Sequence, residues 1–130
     1  MILVDTSVIV AALRDRTGAQ ARKLIGIAGS REIVLSRFTE LELLVGARDE
    51  ADWRRLTSYL AGVRLLDPAP TTWREAARLH YELRRQGQTI RSLVDCCIAQ
   101  IALDEAITLI HDDRDFEAIA AVRPLKQVRC

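Results

Sequence analysis

Short apolar runs fall at residues 2–4, 32–35, 63–66, 107–110 and 125–128, and amphipathic stretches with helical spacing separate them. This alternation is the strongest constraint on the fold. Strands of three or four residues, each followed by one or two helices, cannot pair as hairpins and call for crossover connections. They build a parallel sheet with helices on both faces. The helical stretches lie after 5–7 and at 19–28, 37–47, 50–61, 71–86, 92–103 and 113–121. Their ends carry ordinary signals. Ser36 and Ser92 stand at N-cap positions, Gly29, Gly46, Gly62 and Gly87 close helices, and Asp67-Pro68-Ala69-Pro70 forms a rigid turn. The expected fold is α/β: a three-layer α/β/α sandwich around a central parallel sheet of about five strands. With 130 residues, no repeat and no linker, the chain reads as one domain over residues 1–130.

Composition narrows the function classes. The balance of 19 basic and 18 acidic residues excludes a polybasic tail and an acidic disordered segment. No run approaches the roughly 18 apolar residues of a membrane span, and the opening Met1-Ile2-Leu3-Val4-Asp5 lacks the basic start of a signal peptide. A cytoplasmic protein without membrane contact is expected. Three cysteines, with Cys96 and Cys97 adjacent in a helix, offer no zinc spacing and read as reduced, small apolar residues.

In an open parallel sheet ligands bind beyond the carboxyl ends of the strands. Asp5 follows the first strand, and Asp112-Asp113 follow the fourth. Two further acids interrupt helical patterns. Glu42 borders the apolar stripe of 37–47, with Phe38 at i−4 and Val45 at i+3, and Gly46 is expected to leave space above it. Asp95 lies in the first turn of a helix in which nine of the eleven residues 93–103 are apolar, with Ala99 and Ala102 expected to keep its side open. Each acid has a plain structural use: Asp5 and Asp113 as caps, Asp95 in a capping box with Ser92, Glu42 paired with an arginine. Taken together, however, two acids at strand ends and two on inward helix faces can converge on one point. Four carboxylates brought together in a low dielectric require a cation, and hard oxygens without imidazole or thiolate suit Mg²⁺ or Mn²⁺. Without these four acids the rest of the chain has 19 basic and 14 acidic residues. An acidic metal pocket on a basic body suits a phosphodiester, whose hydrolysis a metal assists by lowering the pKa of a bound water and offsetting charge on the leaving oxygen.

Four motifs in order, Val4-Asp5-Thr6-Ser7, Glu42-Leu43-Leu44-Val45-Gly46, Val94-Asp95-Cys96-Cys97-Ile98-Ala99 and Asp113-Arg114-Asp115-Phe116, resemble the PIN-domain ribonucleases of the VapC toxin type along the whole chain. The resemblance implies Mg²⁺-dependent cleavage of RNA, with Mn²⁺ as a substitute. It implies inhibition by a cognate VapB-type antitoxin, and a homodimer within the toxin–antitoxin complex. It assigns catalysis to Asp5, Glu42, Asp95 and Asp113 and metal binding to these four with Asp115. Asp5 and Asp95 are expected to be the firmest ligands. Thr6 and Ser7 match hydroxyl positions beside the first Asp. The late turn leaves Asp112, Asp113 and Asp115 in competition, and Asp113 is preferred because Phe116 can pack inward while Asp112 stays in the turn.

Several residues remain open between uses. Arg91 and Arg114 flank the two late motifs and are candidates for phosphate contact or solvated surface. His111 precedes the acidic turn, and a strand-end hydrogen bond is its expected role. The helices at 19–28 and 50–61 offer Leu24, Ile27, Trp53 and Leu60 either to the core or to an antitoxin groove. The competing reading is a non-catalytic or regulatory doubly wound Mg²⁺-binding domain acting as an interaction module. A receiver domain would need an acidic pair after the first strand and a late catalytic lysine, whereas Thr6 follows Asp5 and the two lysines are Lys23 and Lys126. A haloacid-dehalogenase-like phosphatase would need an acid where Ser7 stands.

Overall fold

The computed structural model describes residues 1–130. Strand β1 (Ile2–Val4) is followed by helices α1 (Thr6–Arg14) and α2 (Ala19–Ala28). Strand β2 (Ile33–Ser36) leads to α3 (Arg37–Val45) and α4 (Glu50–Ala61), and β3 (Arg64–Leu66) to α5 (Pro70–Arg85) and α6 (Leu93–Glu105). Strand β4 (Thr108–His111), α7 (Arg114–Ala120) and β5 (Gln127–Arg129) complete the order. The five strands form one sheet in the order β3-β2-β1-β4-β5, and every pairing is parallel.

Alternation along the strands explains the three layers. Leu3, Val34 and Leu109 point to one face and join a core with Leu79 and Leu83 of α5, Ile98 and Ile101 of α6, and Phe116 and Ile119 of α7. Ile2, Val4, Leu35 and Ile110 point to the other face, where they meet Val8 and Ile9 of α1, Leu24 of α2, Leu43 of α3 and Leu60 of α4. A strand buried on both faces has no polar side, which is why these runs are apolar throughout.

The chain winds outward from β1 to β3 and then returns past β1 to build β4 and β5. The direction of winding therefore reverses between β1 and β4. Helices diverge above their carboxyl ends and leave a crevice there. On the outer flank, α5 and α6 pack antiparallel, locked by Thr72 Oγ1 donating to Asp104 Oδ2 at 2.7 Å and Gln100 Nε2 donating to Asp104 Oδ1 at 2.9 Å.

The expected elements are all present, and 19–28 and 50–61 coincide with α2 and α4. The groove residues divide differently. Leu24 and Leu60 are only 6% and 5% exposed and belong to the core. Trp53 stays 46% exposed and Ile27 is half-buried, while Ile25 stands out at 62%. The sheet face over β1 and β2 uses the apolar stripes of these helices as its cover, so those stripes do not form a free groove.

Candidate active site

Five carboxylates converge at the crevice above β1 and β4. Asp5, Glu42, Asp95, Asp113 and Asp115 line one open cleft of about 420 Å³, together with Thr6, Ser7, Val10, Arg91 and Ser92. All five acids singled out in the sequence are thus brought together. Asp112, next to them in the chain, is not. Its carboxylate turns outward to Arg129, whose Nε donates to Oδ1 at 3.2 Å.

Asp5 is delivered by the end of β1 and also caps α1. Its Oδ2 accepts the Ser7 N–H at 3.0 Å and the Ser7 hydroxyl at 2.6 Å. Burial pushes its carboxyl above the ordinary range, and the Ser7 hydrogen bonds oppose that rise. Capping and cleft lining are therefore not alternatives at this residue: one carboxylate oxygen serves the helix and the other is available to the cleft.

Glu42 finds no arginine. Thr6 Oγ1 donates to its Oε1 at 2.7 Å and lies 3.0 Å from Thr39 Oγ1. Thr39, buried and held by the Ser36 cap, is a support that sequence reasoning missed, since a threonine in a first turn has no distinguishing pattern. Gly46 does not clear room for Glu42. A Cβ there would meet Leu43 O of its own helix at 3.3 Å, so the glycine simply ends α3.

Asp95 is not a cap either: Ser92 Oγ accepts the Val94 N–H and takes that role. Ala99 and Ala102 are packed in the core and do not line the cleft beside it. Burial first, and then the charges of Asp5, Asp113, Glu42 and Asp115, push the Asp95 carboxyl up to about 7. Its neighbours make it the focus of the cluster's repulsion.

In the late turn, Asp113 caps α7, its Oδ1 accepting the Asp115 N–H at 2.9 Å. Asp115 is 7% exposed, and its Oδ2 is buried with no hydrogen-bond partner. Carboxylate oxygens of Asp95, Asp113 and Asp115 lie within 4.8 Å of one another. His111, expected to make a strand-end hydrogen bond, does so twice. It is fully buried, and its Nδ1 accepts the Asp113 N–H at 3.1 Å. The ring proton is therefore on Nε2, which donates to Gln127 Oε1 at 2.7 Å. Arg114 is exposed and outside the cleft lining.

The donor set fits a hard divalent cation. It consists of carboxylate oxygens, His111 has both nitrogens engaged, and no thiol lines the cleft. A cation would partner the buried oxygen on Asp115 and offset the repulsion that raises the Asp95 carboxyl.

A parallel sandwich with an acid cluster at its winding reversal defines a class of metal-site α/β domains, and this chain belongs to the PIN-domain family, whose model matches residues 2–122. Within that family it groups with the VapC ribonucleases. It is 33% identical to Ribonuclease VapC11 of Mycobacterium tuberculosis, with 97% of this chain and 96% of the relative covered. It is 31% identical to Ribonuclease VapC51 of the same species over 92% and 85%. The fold matches VapBC2 from Rickettsia felis bound to a promoter DNA fragment, with a TM-score of 0.83 at 23% identity over 100% and 99% of the two chains. It also matches VapBC-1 from nontypeable Haemophilus influenzae, with a TM-score of 0.78 at 23% identity over 99% and 98%.

Proposed function

We propose that this chain is the toxin of a type II toxin–antitoxin pair, a cytoplasmic endoribonuclease that uses Mg²⁺ or Mn²⁺ and is silenced by a VapB-type antitoxin. The observation that carries the reading is the convergence of five carboxylates on one cleft, with a buried Asp115 oxygen that has no protein partner. The kinship with VapC ribonucleases supports RNA as substrate.

Asp5, Asp95, Asp113 and Asp115 would hold the ion. A divalent cation held there would lower the pKa of a bound water and offset charge building on the phosphate. Glu42, fixed through one oxygen by Thr6, uses its other oxygen to orient the attacking water. Ser7 holds Asp5 in place from outside the ligand set. Water adds to phosphorus and the ester bond to the leaving sugar oxygen breaks. The toxin works as a homodimer within its antitoxin complex.

The test is cleavage of a total cellular RNA pool by purified protein, with Mg²⁺ or Mn²⁺ against EDTA, beside Asp5→Asn and Asp95→Asn. Discrete products that need metal and vanish in both variants are expected. Equal cleavage by both variants would overturn the site. No cleavage by wild type, together with no calorimetric Mn²⁺ binding, would favour the interaction-module reading.

A further inference from the structure

Arg91 is the one cation lining a cleft that five carboxylates also line. Its guanidinium nonetheless makes no hydrogen bond and no ion pair with them or with any other residue. Its backbone, by contrast, is pinned on both sides. Ile90 is buried in the core, and Ser92 caps α6 through the Val94 N–H. Upstream, Gly87 adopts φ +78 and the Gln88 N–H closes on Leu83 O at 2.9 Å, which ends α5 and fixes the turn. The geometry is thus a fixed root with a free charged end at the rim of the cleft.

We propose that the Arg91 guanidinium binds a backbone phosphate of the RNA strand beside the scissile position, and so sets how the strand lies across the carboxylates. This rests on the ribonuclease reading and deepens it. A strand entering an acidic cleft brings more negative charge. A metal held by the carboxylates would answer the scissile phosphate, and the one cationic side chain in the cleft lining for a neighbouring phosphate is Arg91. The planar fork suits two phosphate oxygens at once, which a lysine does not. Arg114, the other candidate, is exposed and outside the cleft lining. Arg91 is a binding residue here and takes no part in moving protons.

The test compares wild type, Arg91→Ala and Arg91→Lys on a single-stranded RNA taken from a cleaved site, with saturating Mn²⁺. For Arg91→Ala, loss of a charged hydrogen-bonding partner should raise KM about tenfold or more, with kcat changed far less. The slope of log kcat/KM against log salt should fall by about 1. Arg91→Lys should recover the salt slope and only part of the KM. The calorimetric Mn²⁺ affinity and the melting temperature should match wild type in both variants, because the exposed side chain contacts neither ligand set nor core. Wild-type KM and salt slope in Arg91→Ala would overturn the assignment and leave the nuclease reading standing. A lost Mn²⁺ affinity would reassign Arg91 to support of the metal site. A wild type that cuts no RNA with either metal would overturn the nuclease reading and this assignment together.

Discussion

Ser7 and Asp112 lie 105 residues apart in sequence and meet across the winding reversal, the Asp112 N–H donating to Ser7 Oγ at 3.1 Å. The same hydroxyl donates to Asp5 Oδ2 at 2.6 Å. One side chain therefore ties the turn after β4 to the acid after β1. It holds Asp5 at the cleft and draws the Asp112 backbone toward it, while the Asp112 carboxylate faces Arg129.

Replacing Ser7 by Ala should weaken metal binding without removing any ligand. Supporting partners of this kind are worth about 10–100-fold in metal affinity. Mn²⁺ titration calorimetry should show a weaker complex of unchanged stoichiometry. With the Ser7 hydroxyl bond gone and only the backbone N–H left to oppose it, burial should push the Asp5 carboxyl further up, so the acid limb of the pH–rate profile at limiting metal should move to higher pH.

Asp95 makes the metal-free protein sensitive to pH. A carboxyl raised from 3.8 to about 7 binds more protons folded than unfolded between those values, so stability falls as pH rises through that window. Melting curves in EDTA should show the wild type losing several degrees from pH 4 to pH 7.5. Asp95→Asn should lose less and melt higher at pH 7.5. Adding Mn²⁺ at pH 7.5 should stabilise the wild type and leave Asp95→Asn nearly unmoved.

The late acids should separate cleanly. Asp115→Asn is expected to reduce Mn²⁺ affinity more than about tenfold, since a carboxylate oxygen of Asp115 lies within 4.8 Å of those of Asp95 and Asp113. Asp112→Asn should keep the affinity, and should change stability by no more than about 1 kcal/mol, the worth of an exposed ion pair. Equal losses in the two would mean that Asp112 reaches the ion.

His111→Ala should be the costliest of these changes to the fold. It empties a fully buried site and leaves the Asp113 N–H and Gln127 Oε1 unpaired, for about 2–4 kcal/mol. Urea unfolding should show the loss. Amide exchange should speed up first in β5, which pairs only with β4 and whose end is held by the Cys130 N–H to His111 O at 2.7 Å.

Thr72→Val offers the opposite case. It removes the hydroxyl that donates to Asp104 and accepts from the Ala69 N–H, at about 1–3 kcal/mol. None of these groups lines the cleft, so metal-dependent cleavage per folded molecule should be unchanged.

The layer architecture was legible because strands buried on both faces carry no polar alternation, N-cap serines mark where helices start and glycines mark where they stop. Four acids were legible because Asp5 and Asp113 follow strands and Glu42 and Asp95 interrupt apolar helical patterns, and Asp115 was legible only through its family motif. What each acid does was not. Asp5 and Asp113 cap helices and line the cleft at once, and the two uses leave the same letter at the same position. Which of Asp113 and Asp115 caps α7 and which is buried depends on where α7 begins, a matter of one residue. Leu24 and Leu60 could not be told from groove residues, because a stripe that covers a sheet and a stripe that awaits a partner have the same periodicity. The supporting pairs Thr6–Glu42 and Ser7–Asp112 join distant segments, and no local pattern announces them.

The strand made first is flanked on one side by a strand made near the end. On a ribosome releasing about 5–20 residues per second, β1 emerges early and waits for β4 while most of the domain is still being read. Until β4 slots in beside it, Asp5 has neither the Asp112 turn nor the acids of α7 for company. A chain interrupted before that moment lacks two of the five carboxylates that line the cleft, Asp113 and Asp115. In a domain wound in this order, the acid after β1 and those after β4 meet only once every strand between them in the chain has been made.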